Sequence, residues 1–203
     1  MPSSKSSTAV PKAWPSHVSY LFAPYYSKKL SAEKIHGLNL LRSDLPSNTL
    51  VYSTKGPYTN VKISLVSDKT HPAYGQHALL ATQHLPPDSF ILPYLGRVHD
   101  QADVDSTSDY DLSLDRDLGI GVDASVMGNE ARFINDFRGV ATAPNAEFRD
   151  ILVSTGNNKA EKRVGVFVLS AGKSGKRAKG IGLGQEIVVS YGKGFWTERQ
   201  SVQ

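Results

Sequence analysis

The stretch GNEARFINDFRG (residues 128–139) sets Arg132, Asn135, Asp136 and Arg138 around the apolar residues Ala131, Phe133 and Ile134. The run is too short for a self-sufficient helix and too mixed for a clean strand. An amide, a carboxylate and two guanidinium groups beside apparent core fit either a packed polar turn or a functional segment, which this stretch alone leaves open. Two charged runs lie on either side of it. Residues 100–117, DQADVDSTSDYDLSLDRD, hold seven aspartates and one arginine, whereas KSGKRAK (173–179) holds four basic groups and no acid. Opposite charges in separate patches suit polar partners on each, and each run also reads as a solvated loop.

Other chemistries fail on spacing. The chain has no cysteine, which excludes disulfide frameworks, zinc ribbons and cysteine nucleophiles. GKS at 172–174 resembles the end of a phosphate loop, but Phe167 stands where that loop needs its first glycine. GIGLGQ (180–185) places Gln185 where a dinucleotide fingerprint needs glycine. The aspartate-rich run lacks the central glycine and terminal glutamate of a calcium loop. The six histidines show no pair at helical ligand spacing, so no metal is expected.

The elements that position these residues read as mainly β with short helices. A chain of 203 residues can bury one substantial core, and its 17 glycines and 11 prolines suit many strands and turns. Residues 1–60 read as an N-terminal extension, a loose tail plus a short helix near 31–42 with Ser31 as N-cap and Glu33 in the first turn. Beyond residue 50, segments such as NVKISLVS, SFILPYLGRVH, AEFRDILVS, RVGVFVLS and QEIVVSYG alternate with turn residues. No apolar run approaches the roughly 20 residues of a membrane helix, and no signal peptide opens the chain, so a nuclear or cytoplasmic protein is expected.

In their order, VDASVMGNEARFINDF, PNAEF, RVGVFVLS and GQEIVVSYGKGFW resemble the SET domain of protein lysine methyltransferases. In that family a segment like VDA…GN…RF.NHSC.PN precedes strands and then GEEL..DYG. Upstream, ALLATQHLPPDSFILPYLGRV and SDYDLSLD resemble further family segments. The resemblance covers roughly 61–196 and implies a SET domain over 61–197, a C-terminal tail at 198–203, and a fold of small curved sheets closed by a C-terminal pseudoknot. It also implies S-adenosylmethionine as cofactor and a basic, lysine-containing protein as substrate, a histone tail among the candidates. The alternative is a SET-fold binding module with weakened catalysis in a chromatin or other complex. Direct nucleic-acid contact through the basic loop and the oligomeric state stay open.

The same resemblance assigns residues. Tyr191 and Tyr110 become the catalytic pair; Gly75, Gln76, His77, Tyr110, Arg132, Asn135, Asp136 and Trp196 face the cofactor; Val189 and Phe195 line the substrate channel. The family's histidine is Asp136 here, and its backbone can serve the adenine as histidine's does. Its glycine pair is reduced to Gly75. Two positions before Tyr191, where the family usually has phenylalanine or tyrosine, stands Val189. With no hydroxyl there to hold a blocking water, di- or trimethylation is expected. The aspartates of 100–117 are expected to line the substrate groove and attract basic peptides.

Overall fold

The computed structural model describes residues 10–173, 175 and 177–192. Four short strands come first: β1 (Ser19–Tyr20), β2 (Tyr25–Tyr26), β3 (Asn39–Leu41) and β4 (Val51–Tyr52), with helix α1 (Ala32–Gly37) between β2 and β3. Then follow β5 (Val61–Leu65), β6 (His77–Ala81), β7 (Phe90–Tyr94), β8 (Arg97–Asp100), β9 (Asp111–Asp115), β10 (Ile120–Asp123) and β11 (Met127–Gly128). The last are β12 (Asn135–Asp136), β13 (Ala146–Gly156), β14 (Lys159–Val168) and β15 (Val188–Val189). The chain is thus mainly β, as its segmentation implied.

These strands make several small sheets. One runs β2-β8-β10-β9; a larger one runs β3-β14-β13-β4, with β7 also pairing β14. Smaller pairs join β5 to β6, β1 to β11 and β12 to β15. Each of the four strands before residue 53 pairs with a strand far along the chain, so from residue 19 the expected extension shares sheets with the rest. The β13–β14 hairpin turns at Gly156, Asn157 and Asn158, all at positive φ, where glycine and asparagine are best tolerated. The main core gathers Val166 of β14, Leu92 of β7, Leu79 of β6 and Ile187, each wholly buried. Full burial of such a side chain contributes about 1.5–3 kcal/mol.

Helix α1 is shorter than its apolar spacing implied. Ser31 Oγ accepts the Lys34 N–H at 3.3 Å, as an N-cap should. The helix stops at Gly37 because Asn39–Leu41 pair with β14, and Asn39 Nδ2 closes its end on the Ile35 carbonyl at 2.8 Å. Leu41, within the span expected to be helical, lies instead in β3 and is 47% exposed.

The polar stretch of 128–139 becomes a single 3₁₀ turn, Glu130–Phe133, followed by β12. Asn129, wholly buried, fastens it to the β7–β8 connection by accepting from Leu95 N at 3.1 Å and donating to the Pro93 carbonyl at 2.8 Å. In that connection a Cβ on Gly96 would sit 2.4 Å from the Asp123 carbonyl oxygen, so only glycine lets the backbones meet. Strand β15 then lies parallel to β12, Asn135 opposite Val188 and Asp136 opposite Val189. On its other side Asn145 receives Val188 N at 2.9 Å and donates to the Glu186 carbonyl at 2.7 Å. The C-terminal strand therefore runs between the two ends of the 135–145 loop, the crossing expected of the pseudoknot.

Candidate active site

Two adjoining cavities flank this crossing. The larger, about 580 Å³, is walled by the 71–77 turn, by Arg132–Arg138, by Tyr110 and Tyr191, and by Pro15 and His17 of the N-terminal segment. The smaller, about 160 Å³, is walled by Tyr94, Leu112, Ile134, Phe148 and Ser190. Asp109, Tyr110, Arg132 and Tyr191 border both. The two cavities thus share a wall that includes both tyrosines.

The 71–77 turn owes its shape to Gly75, whose φ of +79° lies in the left-handed region. Gly75 N donates to the Val66 carbonyl at 3.0 Å and Gln76 N to the Ala73 carbonyl at 2.9 Å. His77 stands against Phe133, ring centroids 5.4 Å apart. Burial, with Arg132 and His17 nearby, lowers its pKa and keeps the imidazole neutral. Arg132 works as a clamp: Nε donates to the Ala124 carbonyl at 2.9 Å and an Nη to that of Ser125 at 3.0 Å. Its guanidinium lies 4.5 Å over the Tyr110 ring, holding that ring at the junction.

Asp136 carries structure as well as position. Its Oδ2 accepts the Tyr191 N–H at 2.8 Å, and its carboxylate pairs with Arg138 at 2.9 Å. Aspartate thereby fixes the backbone of Tyr191, whose hydroxyl donates to the Ile134 carbonyl at 2.8 Å. Burial, then Tyr110 and Asp136, push the Tyr191 phenol far above neutral pH. Tyr94, wholly enclosed, is raised in the same way, and its hydroxyl donates to the Tyr110 carbonyl at 2.7 Å. Both rings therefore act as neutral hydroxyl groups.

The structure gathers Gly75, Gln76, His77, Tyr110, Arg132, Asn135, Asp136 and Tyr191 around the larger cavity. Val189 is placed elsewhere: it is 1% exposed in the core and lines neither cavity, while its neighbour Ser190 lines the smaller one. Phe195 and Trp196 lie outside the described residues. Sequence reasoning passed over Tyr94, although it lies within the SFILPYLGRVH strand, and Phe148, which follows the PNAE segment. Tyr94 and Phe148 meet edge to face, centroids 5.6 Å apart, and line the smaller cavity with Leu112.

Three aspartates of the acidic run pair with lysines within the fold, and a fourth meets a histidine. Asp100 pairs with Lys34 at 2.8 Å, Asp103 with Lys29 at 3.0 Å, Asp111 with His99 at 2.9 Å and Asp115 with Lys162 at 2.7 Å. Lys34 and Lys162 accordingly hold Asp100 and Asp115 below the usual carboxylate pKa. Of the seven aspartates, Asp109 alone borders both cavities. Of the run's carboxylates, only Asp109 and Asp111 line either of the two cavities. Among the described residues no cluster of histidine and carboxylate groups suits a metal, and no helix is long and apolar enough to cross a membrane.

Comparison of the whole chain with solved structures gives KRYPTONITE, in complex with mCHH DNA, H3(1–15) peptide and SAH, at a TM-score of 0.55 and 18% identity over 87% of this chain. The fold is that of a SET domain. The match spans 42% of that neighbour's length. A Chaetomium thermophilum polycomb repressive complex 2 superposes less well, with a TM-score of 0.47 and 24% identity over 68% of this chain and 16% of its own. No protein-family model matches the sequence, and no curated protein matches it significantly.

Proposed function

We propose that this protein is an S-adenosylmethionine-dependent protein-lysine N-methyltransferase acting on a basic segment such as a histone tail. The observation that carries the reading is the meeting of two cavities at Tyr110 and Tyr191. A methyl donor and an amine acceptor approaching from opposite sides is what in-line displacement requires. The larger cavity suits the cofactor in size, about 580 Å³ against roughly 300–1,000 Å³ for ligand pockets in general. It also offers a left-handed glycine turn for close backbone approach at Gly75 and a carboxamide at Asn135. Bound there, S-adenosylmethionine supplies a methyl group on a sulfonium.

The chain's own residues do the rest. Tyr94, Leu112, Ile134 and Phe148 exclude water from the channel, and desolvation lowers the pKa of an entering lysine, ordinarily about 10.4. The ammonium proton leaves to bulk solvent as the side chain enters, because Tyr94 and Tyr191 are held protonated and cannot take it. The amine's lone pair then points along the channel, aligned by the Tyr191 hydroxyl and the face of Tyr110. Asp109 at the junction favours capture of the cationic side chain. We assign the described chain from residue 19 onward to the SET domain, wider than the expected 61–197, and a nuclear or cytoplasmic setting as the place of action. The neighbour's crystallisation with an H3(1–15) peptide and SAH supports this cofactor and substrate class.

Calorimetric titration of the chain with SAH tests the cofactor site. One-to-one binding, abolished by Asn135→Ala with the melting temperature of the free protein retained, is expected. No heat and no thermal shift at millimolar ligand would leave the fold without this function.

A further inference from the structure

His71, Glu186 and Asn135 come from three separate segments and form one line of hydrogen bonds behind the larger cavity. The Ala73 N–H donates to His71 Nδ1 at 3.0 Å, so that nitrogen presents a lone pair. Nε2 must then carry the ring hydrogen, and it lies 3.0 Å from Glu186 Oε2. Glu186 Oε1 accepts from Asn135 Nδ2 at 2.8 Å, and the same amide nitrogen reaches the His77 carbonyl at 3.3 Å. Every acceptor and donor along the line is dictated by its neighbour.

The consequence falls on Asn135. A free carboxamide can turn over and exchange its nitrogen and oxygen at little cost. Here a carboxylate and a carbonyl, which only accept, both face the nitrogen. Oδ1 is therefore the atom left for a ligand, and it has no hydrogen bond among the described residues. We propose that Glu186 and His71 are positioning residues that lock the Asn135 carboxamide, presenting its oxygen to an N–H or ammonium donor in the cleft. The proposal rests on the cofactor reading above, since the α-ammonium of S-adenosylmethionine is such a donor. The relay also ties the turn carrying Gly75 to the segment entering β15, so three walls of the cleft hold one another.

Substitutions separate this role from packing. Glu186→Gln keeps the shape but offers one acceptor where two are needed, so either His71 or Asn135 meets a like donor. His71→Phe removes the anchoring donor, and His71→Gln restores an N–H near the Nε2 position. In the ligand-free, ¹⁵N-labelled full chain, ring nitrogen shifts should show His71 as the Nε2–H tautomer. Glu186→Gln should perturb both those shifts and the Asn135 side-chain amide signals. SAH affinity should fall about tenfold in Glu186→Gln and His71→Phe, and His71→Gln should recover most of it. An Nδ1–H tautomer, or unchanged SAH affinity in Glu186→Gln against a wild type that binds, overturns the relay. A wild type that binds no SAH overturns the cofactor reading, and the ligand-facing role of Asn135 falls with it.

Discussion

The Tyr191 hydroxyl lies where both cavities converge, which makes Tyr191→Phe the most informative single change. The hydroxyl donates to the Ile134 carbonyl at 2.8 Å, while the backbone N–H of the same residue is held by Asp136 at 2.8 Å. The substitution removes the first contact and keeps the second. One neutral hydrogen bond contributes about 1 kcal/mol net. For a domain of this size that lowers Tm by roughly 2–4 °C, so the fold and the cofactor cleft survive. Turnover responds to alignment instead. A displacement of about 1 Å at the reacting centre costs on the order of 100-fold in rate, or about 2.7 kcal/mol at 1.36 kcal/mol per tenfold. We expect kcat to fall about 100-fold on H3(1–15), or on an arrayed lysine peptide that the wild type methylates. SAH affinity by calorimetry should change less than about threefold. A kcat that stays within about threefold of wild type, or SAH binding that collapses in parallel, refutes the assignment.

Phe148→Tyr brings a hydroxyl into the smaller cavity and should shift products toward monomethyl-lysine by mass spectrometry at exhaustive turnover; with Val189 outside that cavity, di- or trimethylation rests on Phe148, and a wild type that itself stops at one methyl refutes it. Val189→Tyr, by contrast, overfills the core at a cost of about 1–3 kcal/mol and should show as a lowered Tm. Asp109→Asn should raise KM for a basic peptide and flatten its salt dependence, whereas Asp117→Asn, outside both cavities, should leave both unchanged. Glu130, 1% exposed, accepts from Tyr20 and from Tyr58 N, has no basic partner among the described residues, and is held by burial above its ordinary pKa of 4.5. The folded chain thus binds that proton more tightly than the unfolded one, so the stability it lends is present below 4.5 and is lost as pH rises through the raised value. The Tm of Glu130→Gln should therefore gain on wild type as pH rises above its ordinary pKa of 4.5; a gap constant with pH would disprove the linkage.

What the sequence disclosed depended on how local the cause was. Ser31 as a cap, the strands β13 and β14, and burial of Phe133 and Ile134 follow from side-chain type and short-range period, and all are present. The end of α1 was not legible, because it is set by pairing with Lys159–Glu161 far along the chain. Strands of two residues such as β1 and β2 carry no periodic signal at all. The acidic run misled for the same reason: nothing in the spelling of Asp100 or Asp115 announces Lys34 or Lys162 as a partner. At the site, the ordered motifs located the larger cavity. Tyr94, Phe148, His71 and Glu186 became visible only when separate segments met.

The seat of β15 between the ends of the 135–145 loop has a consequence for how the molecule is made. A chain leaving the ribosome presents its segments in order, and β1 to β14 emerge before β15 exists. During that interval the backbone of Asn135 and Asp136 and the side chain of Asn145 lack the strand they hold in the finished protein. Val188, Val189 and Ile187, each at most 1% exposed at the end, are also missing from the core. Such a nascent chain exposes apolar surface and an open strand edge, the conditions under which chaperones engage and aggregation competes. Partners this distant in sequence also meet slowly. Tyr191 follows β15 closely, so its hydroxyl reaches the wall shared by the two cavities only once that strand is seated.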